Sequence, residues 1–269
     1  MRPLNMALRP ESRQAVKDIL TAFANRVLQS ATSEDRFDEA AFRTRRPFDA
    51  ALVPIAIWKG SHFERKFVTV RGQVGFESIA RIVSEDAGHM AQIGRVTTLQ
   101  IHQAQLDEIN AIVAKLREPR RGGGGTRPHW GVELARVMAA ARGPKITTIV
   151  TSDLYVKTQD GREMFFSLKS SKPNIDQCQI AKQDILKLLA AQEGCEAYFA
   201  LPDNPYGDRA DYAWSFGNQI FDMRRDPIVL IGQEFWDYIG GSGTYRELID
   251  VFEEAGEELR DRIERDYLG

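Results

Sequence analysis

An α/β fold is the class this sequence predicts, and three observations predict it. Two strands joined by a tight turn lie between Thr151 and Lys169, an amphipathic helix follows over residues 177 to 192, and CEAYFALP, residues 195 to 202, reads as a buried strand. Hairpin, helix and strand in that order build a sheet with helices packed on it.

The hairpin, TSDLYVKTQDGREMFFSLKSSKPNIDQ over residues 151 to 177, organises the rest. Thr158-Gln159-Asp160-Gly161 suits a type I turn followed by a residue at positive φ, which glycine adopts without a side-chain clash, giving a three-residue loop with a bulge. That register sets Asp153 opposite Ser167, with Lys169 one step along the same face. A two-residue Asp-Gly loop would set Asp153 opposite Leu168 and turn it away from Lys169, because side chains alternate along a strand. The first register also sorts the residues, with Leu154, Val156, Met164, Phe166 and Leu168 on an apolar face and Asp153, Ser167 and Lys169 on the other.

An Asp and a Lys converging on one sheet face suit metal-assisted phosphodiester hydrolysis. The carboxylate holds a divalent cation that polarises the phosphate, and the ammonium orients the attacking water or stabilises developing charge. The plainer reading is a surface hairpin with a cross-strand ion pair worth about 0.2–1 kcal/mol.

Composition bounds the alternatives. A chain of 269 residues with 43% hydrophobic and 28% charged residues can bury a sizeable core in one large domain or one and a half and is ordinary for a soluble globular protein. Its sequence has no apolar run long enough for a transmembrane helix, and MRPLNMALRPESRQ lacks a signal-peptide core, so a cytoplasmic protein without a membrane is expected. Cys178 and Cys195 are too few for a disulfide framework and read as core thiols. The formal net charge of −2 names no partner; binding to nucleic acid would rest on local arginine clusters.

From the N-terminus, residues 10 to 30 read as a helix with Pro10 in its first turn and Val16, Ile19, Leu20, Phe23, Val27 and Leu28 on one stripe. A short helix and a basic loop around Arg43, Arg45 and Arg46 follow. Phe76, Ile79, Ala80, Val83 and Ala87 make a helix stripe between Gly75 and Gly88, with Glu77 at its edge. Residues 102 to 118 form another helix, leading into REPRRGGGGTRPHWG, whose Arg120, Arg121 and Arg127 flank a glycine run and are candidates to contact phosphates or guanine edges. The segment from Trp130 to Ala141 is helical. Lys182 and Gln183, on the helix after the hairpin, are candidates to face a phosphate. Tyr206, Arg209, Tyr212 and Trp214 then interleave aromatic and basic residues in a loop that suits DNA contact, a dimer contact or local packing. Ile228 to Ile231 is a short buried strand preceded by Arg225, and Thr244 with Glu247 forms a capping box for a terminal helix.

The hairpin resembles the core of the PD-(D/E)xK nucleases, whose pattern is an acid, a variable gap, then acid-x-Lys on the next strand. More narrowly, SDLYVKTQDGREMFFSLKSSKPNIDQCQ is similar to type II restriction endonucleases of the TdeIII group and relatives that cut GGNCC-type sites, as are FERKFVTVRGQVGFESIARIV and GQEFWDYIGGSGTYRELIDVFEEA. Asp153, Lys169, Lys172-Pro173-Asn174 and Gln177 match; Ser167 stands where the group has Glu. In members with Ser-x-Lys the second carboxylate comes from another element, and Asp184, fifteen residues after Lys169, and Glu77 are the two candidates here.

The resemblance implies a single restriction-endonuclease-like domain over residues 1–269, a mixed central sheet flanked by helices, with residues 1–60 as a helical extension and 203–269 as a recognition or dimerisation part. It implies Mg²⁺-dependent double-strand cleavage at a short palindromic or interrupted palindromic site by a homodimer. Asp153 with Glu77 or Asp184 would hold the metal, Lys169 would act on the attacking water with Ser167 beside it, and Arg120, Arg121, Arg127, Lys172, Asn174, Gln177 and Arg225 would touch DNA. A structure-specific repair nuclease with the same core and a catalytically decayed DNA-binding protein are the alternatives.

Overall fold

A computed structural model of the chain describes residues 8–118 and 125–268. They divide into two compact units, an α/β unit of residues 80–245 and a helical unit of residues 8–79 with 246–269.

The α/β unit is a five-stranded sheet in the order β1-β2-β3-β4-β5. The strands are β1 (Met90–His102), β2 (Lys145–Lys157), β3 (Glu163–Leu168), β4 (Glu196–Leu201) and β5 (Val229–Ile231). β1, β2 and β3 pair antiparallel, and β3, β4 and β5 pair parallel, so the sheet is mixed, as in restriction-endonuclease-like folds. The β3-to-β4 connection runs through α8 (Ile175–Ala191), as a parallel crossover requires.

Both faces are covered. On one side Tyr155, Phe165, Ala197 and Phe199 share a core with Cys178, Ala181 and Ile185 of α8 and with Ile109, Ile112 and Leu116 of α6 (Gln103–Arg117). On the other side Leu154, Val156, Met164, Phe166 and Leu168 are buried, as their alternation predicts, and the Phe166 ring lies 5.8 Å from that of Phe235 in α10 (Gln233–Gly240). This unit also holds α7 (Trp130–Ala139), α9 (Ser215–Ile220) and the larger part of α5 (Phe76–Asp86).

β1 has no counterpart in the sequence reading. MAQIGRVTTLQIH carries neither a continuous apolar run nor a clean alternation, and its definition comes from pairing with β2 along its whole length. Cys178 is a buried free thiol and Cys195 a half-buried one, as expected of core cysteines.

The helical unit holds α1 (Pro10–Gln29), α2 (Glu39–Arg45), α3 (Pro47–Leu52) and α4 (Ile55–Val74), with the start of α5 (Phe76–Asp86) and most of α11 (Thr244–Ile263). Pro10 opens α1 as predicted, and Gly75 and Gly88 bracket α5 at φ +70° and +85°. The basic segment is not a loop. Arg43 and Arg45 belong to α2, which Asp38 caps by accepting from the Ala41 N–H, and Arg46 is the joint before α3. Among the described residues the expected capping box at α11 is not formed: the Thr244 hydroxyl donates to the Gly241 carbonyl, while Glu247 accepts from the Leu8 N–H. Among the described residues, no helix is long and apolar enough to cross a membrane.

Candidate active site

The turn joining β2 to β3 fixes the geometry. Gly161 sits at φ +89° and donates to the Thr158 carbonyl, while Thr158 N–H donates to Arg162 O at 3.0 Å, closing the three-residue loop. Pairing runs from Lys157↔Glu163 to Leu154↔Phe166, so the next step places Asp153 opposite Ser167. Lys169 continues the edge of β3 by donating its backbone N–H to Ala200 O at 3.0 Å.

The side chains meet as that register requires. Lys169 Nζ donates to Asp153 Oδ2 at 2.6 Å, and Ser167 Oγ lies 3.5 Å from the same oxygen. Asp153 and Lys169 keep 26% and 21% of their side-chain surface accessible. The pair is part-buried yet still reached by water, so it is not sealed into the core as a structural ion pair is.

Asp184, on α8, shares this environment. Burial pushes its carboxyl above the ordinary range, the Lys187 ammonium pulls it down, and Lys169 and Asp153 act on it in opposite senses. Lys187 Nζ donates to Asp184 Oδ1 at 2.9 Å. Glu77 stands in the first turn of α5, half-buried, within the helical unit.

The donor set is sparse. Among the described residues no group of three or more His, Cys, Asp or Glu side chains is arranged to hold a metal ion. Two carboxylates suit Mg²⁺, which retains several waters and takes phosphate oxygens as ligands, better than Ca²⁺ or Zn²⁺, which ask for fuller protein shells.

The segment after Lys169 is pinned from a distance. Tyr212 is fully buried and donates its hydroxyl to Ser171 O at 2.9 Å, and Trp214 Nε1 donates to Pro173 O at 2.7 Å. Arg209 donates to Met223 O and pairs with Glu234. Of the three roles the sequence left open for this loop, namely DNA contact, a dimer contact or local packing, Arg209, Tyr212 and Trp214 take the last. Exposed Lys172 lies 5.8 Å from the Trp214 ring centroid and 6.0 Å from that of Tyr206.

Asn174 and Gln177 are the capping box of α8: each side-chain oxygen accepts the other's backbone N–H, at 2.8 and 2.9 Å, leaving the amide NH₂ groups to face solvent. Arg127 and Arg225 are exposed, and Arg120 and Arg121 lie outside the described residues.

Lys182 corrects the sequence reading. It is fully buried, donates to Ile220 O at 3.0 Å, forms an ion pair with Glu133 of α7, and stacks against Phe221 with Nζ 4.9 Å from the ring centroid. Burial lowers its pKa, against the opposing pull of Glu133. It faces the core, and Gln183 donates to Asn110 Oδ1 at 3.0 Å.

Two contributions were missed from the sequence. Lys187 had a readable signal, a cation one helical turn from a candidate acid. Gly94 had none: it falls opposite Asp153 between the pairs Ile93↔Leu154 and Arg95↔Ser152, at φ +63°, where an added Cβ would meet nothing within 4 Å. The carboxylate therefore has no cross-strand side chain on its β1 side.

A mixed sheet that brings an acid and a lysine together across a hairpin, with a second acid on the next helix, is the arrangement expected of a nuclease of the restriction-endonuclease-like class. Comparison with known proteins is more particular: the sequence model of the HinfI type II restriction endonucleases matches residues 12–256, and the chain belongs to that family. It is 31% identical over 268 residues to the type II restriction enzyme HgiCII of Herpetosiphon aurantiacus, covering 93% of this chain and 96% of the relative. HgiBI, from the same organism, is 30% identical over 267 residues, with 93% and 95% covered. The protein is thus a site-specific deoxyribonuclease of a restriction-modification system, and DNA is its substrate. Type II restriction endonucleases generally use divalent metal ions.

Proposed function

We propose that the chain makes Mg²⁺-dependent double-strand cuts through Asp153, Asp184 and Lys169. The observation that carries this reading is the 2.6 Å contact from Lys169 Nζ to Asp153 Oδ2, with Asp184 within their electrostatic reach. Asp153 and Asp184 would hold the metal, with Glu77 as the other candidate for the second carboxylate. When bound, Mg²⁺ supplies polarisation of the phosphate and acidification of a ligated water. With Asp153 given over to the metal, Lys169 would hold and orient the attacking water and balance charge on the phosphate oxygens. Ser167 would hydrogen-bond a metal-bound water from the position where the group has its second acid.

Symmetric cutting favours a homodimer acting at a palindromic or interrupted palindromic site, since a two-fold protein matches a two-fold sequence. Similarity to the TdeIII group supports a site of GGNCC type. Lys172, Asn174, Gln177, Arg127 and Arg225 are exposed side chains suited to DNA contact, and Arg120 and Arg121 join them on sequence grounds. Residues 203–269 would serve recognition or dimerisation within one enzyme domain.

The test is purified protein with phage-length duplex DNA in Mg²⁺ or EDTA, beside Asp153→Ala and Lys169→Ala. Discrete Mg²⁺-dependent fragments, lost in both variants, are expected, and their ends define the site. Uncut DNA across several metals, with duplex binding intact, would replace this reading with a decayed site in which Ser167 marks the lost acid.

A further inference from the structure

We propose that a basic, aromatic-lined cleft in the helical unit binds a backbone phosphate of the DNA duplex. The cleft has a volume of about 290 Å³ and is lined by Arg36, Arg45, Arg46, Arg65, Phe42 and Trp58. The inference rests on duplex DNA being the substrate and adds a contact made by residues other than the catalytic hairpin.

The cleft's unspent hydrogen-bonding capacity is that of donors. Arg36 and Arg45 are exposed, and among the described residues neither has a carboxylate partner. Arg46 sits over aromatic rings, its guanidinium carbon 4.9 Å from the Trp58 centroid and 5.7 Å from that of Phe42, and its Nε pairs with Asp49 Oδ2 at 2.6 Å, so this fork is held in place as a fixed positive charge at the cleft and Arg36 and Arg45 supply the unspent donors. Trp58 Nε1 is buried and has no acceptor among the described residues. Indole N–H is a donor only, so this group asks for an acceptor from outside the cleft.

The acidic side chains that also line the cleft are already engaged. Asp35 pairs with Lys66, which holds its carboxyl below the ordinary range, and Asp38 caps α2. Guanidinium forks and an indole N–H around a small opening match an anion with several acceptor oxygens, and the phosphodiester is the anion this enzyme meets at high local density. An acidic protein partner would need a larger paired surface, whereas a single phosphate fits one cleft.

The test is the salt dependence of binding. A short fluorescein-labelled duplex is titrated in EDTA, so that cutting does not interfere, over a series of NaCl concentrations, and log Kd is plotted against log salt. Loss of one phosphate contact lowers the magnitude of the slope by about 1. Arg36→Ala/Arg45→Ala should show that change together with weaker binding. Trp58→Phe should weaken binding at every salt concentration with the slope unchanged, because it removes a neutral donor. Arg43→Ala is the control: Arg43 is held by Glu39 at 2.8 Å and should bind as wild type does.

Identical slopes in wild type and the double variant, with both folded by circular dichroism, would overturn the proposal. A competition arm with orthophosphate at matched ionic strength separates sources: stabilisation of wild type by free phosphate, with unchanged duplex slopes in the variants, would make the cleft a small-anion site and overturn the DNA assignment. Failure of wild type to bind duplex in EDTA and again with Ca²⁺ in place of EDTA would overturn the proposal together with the duplex binding it rests on, a result distinguishable from failure of the cleft alone.

Discussion

Two lysine–carboxylate pairs attach to the same sheet-and-helix layer and do opposite things. Lys182 and Glu133 are buried between α8 and α7, with a carbonyl and aromatic rings completing the cation's surroundings. Lys169 and Asp153 are partly open to water, with room on the β1 side where Gly94 has no side chain. A buried pair is costly to break because the surviving charge has no solvent, whereas an open pair can part at little expense and offer both charges to a ligand. The first is committed to structure, and the second is available for chemistry.

The largest expected effect breaks the open pair. Lys169→Ala and Asp153→Ala should each lower the single-turnover cleavage rate by roughly 10²–10⁴-fold, a range typical for loss of a group that handles the reacting water. Melting temperature should remain within a few degrees of wild type. A large loss of stability in either would place this pair with the buried one.

Lys182→Ala should do the reverse. Leaving Glu133 buried without its partner costs about 3–5 kcal/mol, which thermal melts should read as a fall on the order of 10 °C. Protein that remains folded should cut DNA at a rate close to wild type.

Asp184→Asn sharpens the comparison by asking whether the neighbouring acid belongs to the open pair's chemistry. Calorimetric titration with Mg²⁺ in the presence of non-hydrolysable duplex should show affinity lowered roughly 10–100-fold, with little change in melting temperature. Glu77→Gln, measured in parallel, identifies the second carboxylate: whichever variant loses affinity carries it.

Tyr212→Phe removes one pin from the catalytic segment and keeps the ring. The lost hydrogen bond is worth about 0.5–1.5 kcal/mol, so a modest fall in melting temperature should accompany a lower turnover at saturating DNA. Unchanged turnover would mean that Lys169 is held without it.

The smallest effect is one of pH. Burial pushes Glu196 up, but hydrogen bonds from Tyr238 and Tyr198 and the charge of Arg162 outweigh it, leaving the carboxyl below its usual value of 4.5. A folded-state pKa below the unfolded one gives stability that is fully present above about pH 4.5 and is lost as the pH falls through the lowered value. Tyr238→Phe should therefore lose stability at neutral pH and show a shallower decline on acidification, read by melts from pH 7 down to about pH 3.

Much of this contrast was legible in the sequence where local rules govern it. Gly161 sets the turn, the turn sets the register, and the register brings Asp153 to Lys169 without reference to the rest of the chain. Lys182 shows where such reading stops. It falls on the apolar stripe of α8 beside Ala181, but a buried lysine and a solvated one look alike until Glu133 and the Ile220 carbonyl are brought to it from elsewhere. β1 failed for a related reason, since a Thr- and Gln-rich strand is defined by its neighbour. The arginines around position 45 were noticed as charge, while Trp58, the donor that makes their cleft specific, lies on another helix.

The two pins on the catalytic segment also impose an order of events during synthesis. Tyr212 and Trp214 follow Ser171 and Pro173 in the chain by 41 residues, and the parallel strands beyond β3 close only with β5 at residues 229–231. At about 5–20 residues per second, a nascent chain has its acid and its lysine seconds before it has the parts that hold them. If Asp153 and Lys169 cut as proposed, a chain halted before residue 229 holds both of them without β5 and is born disarmed.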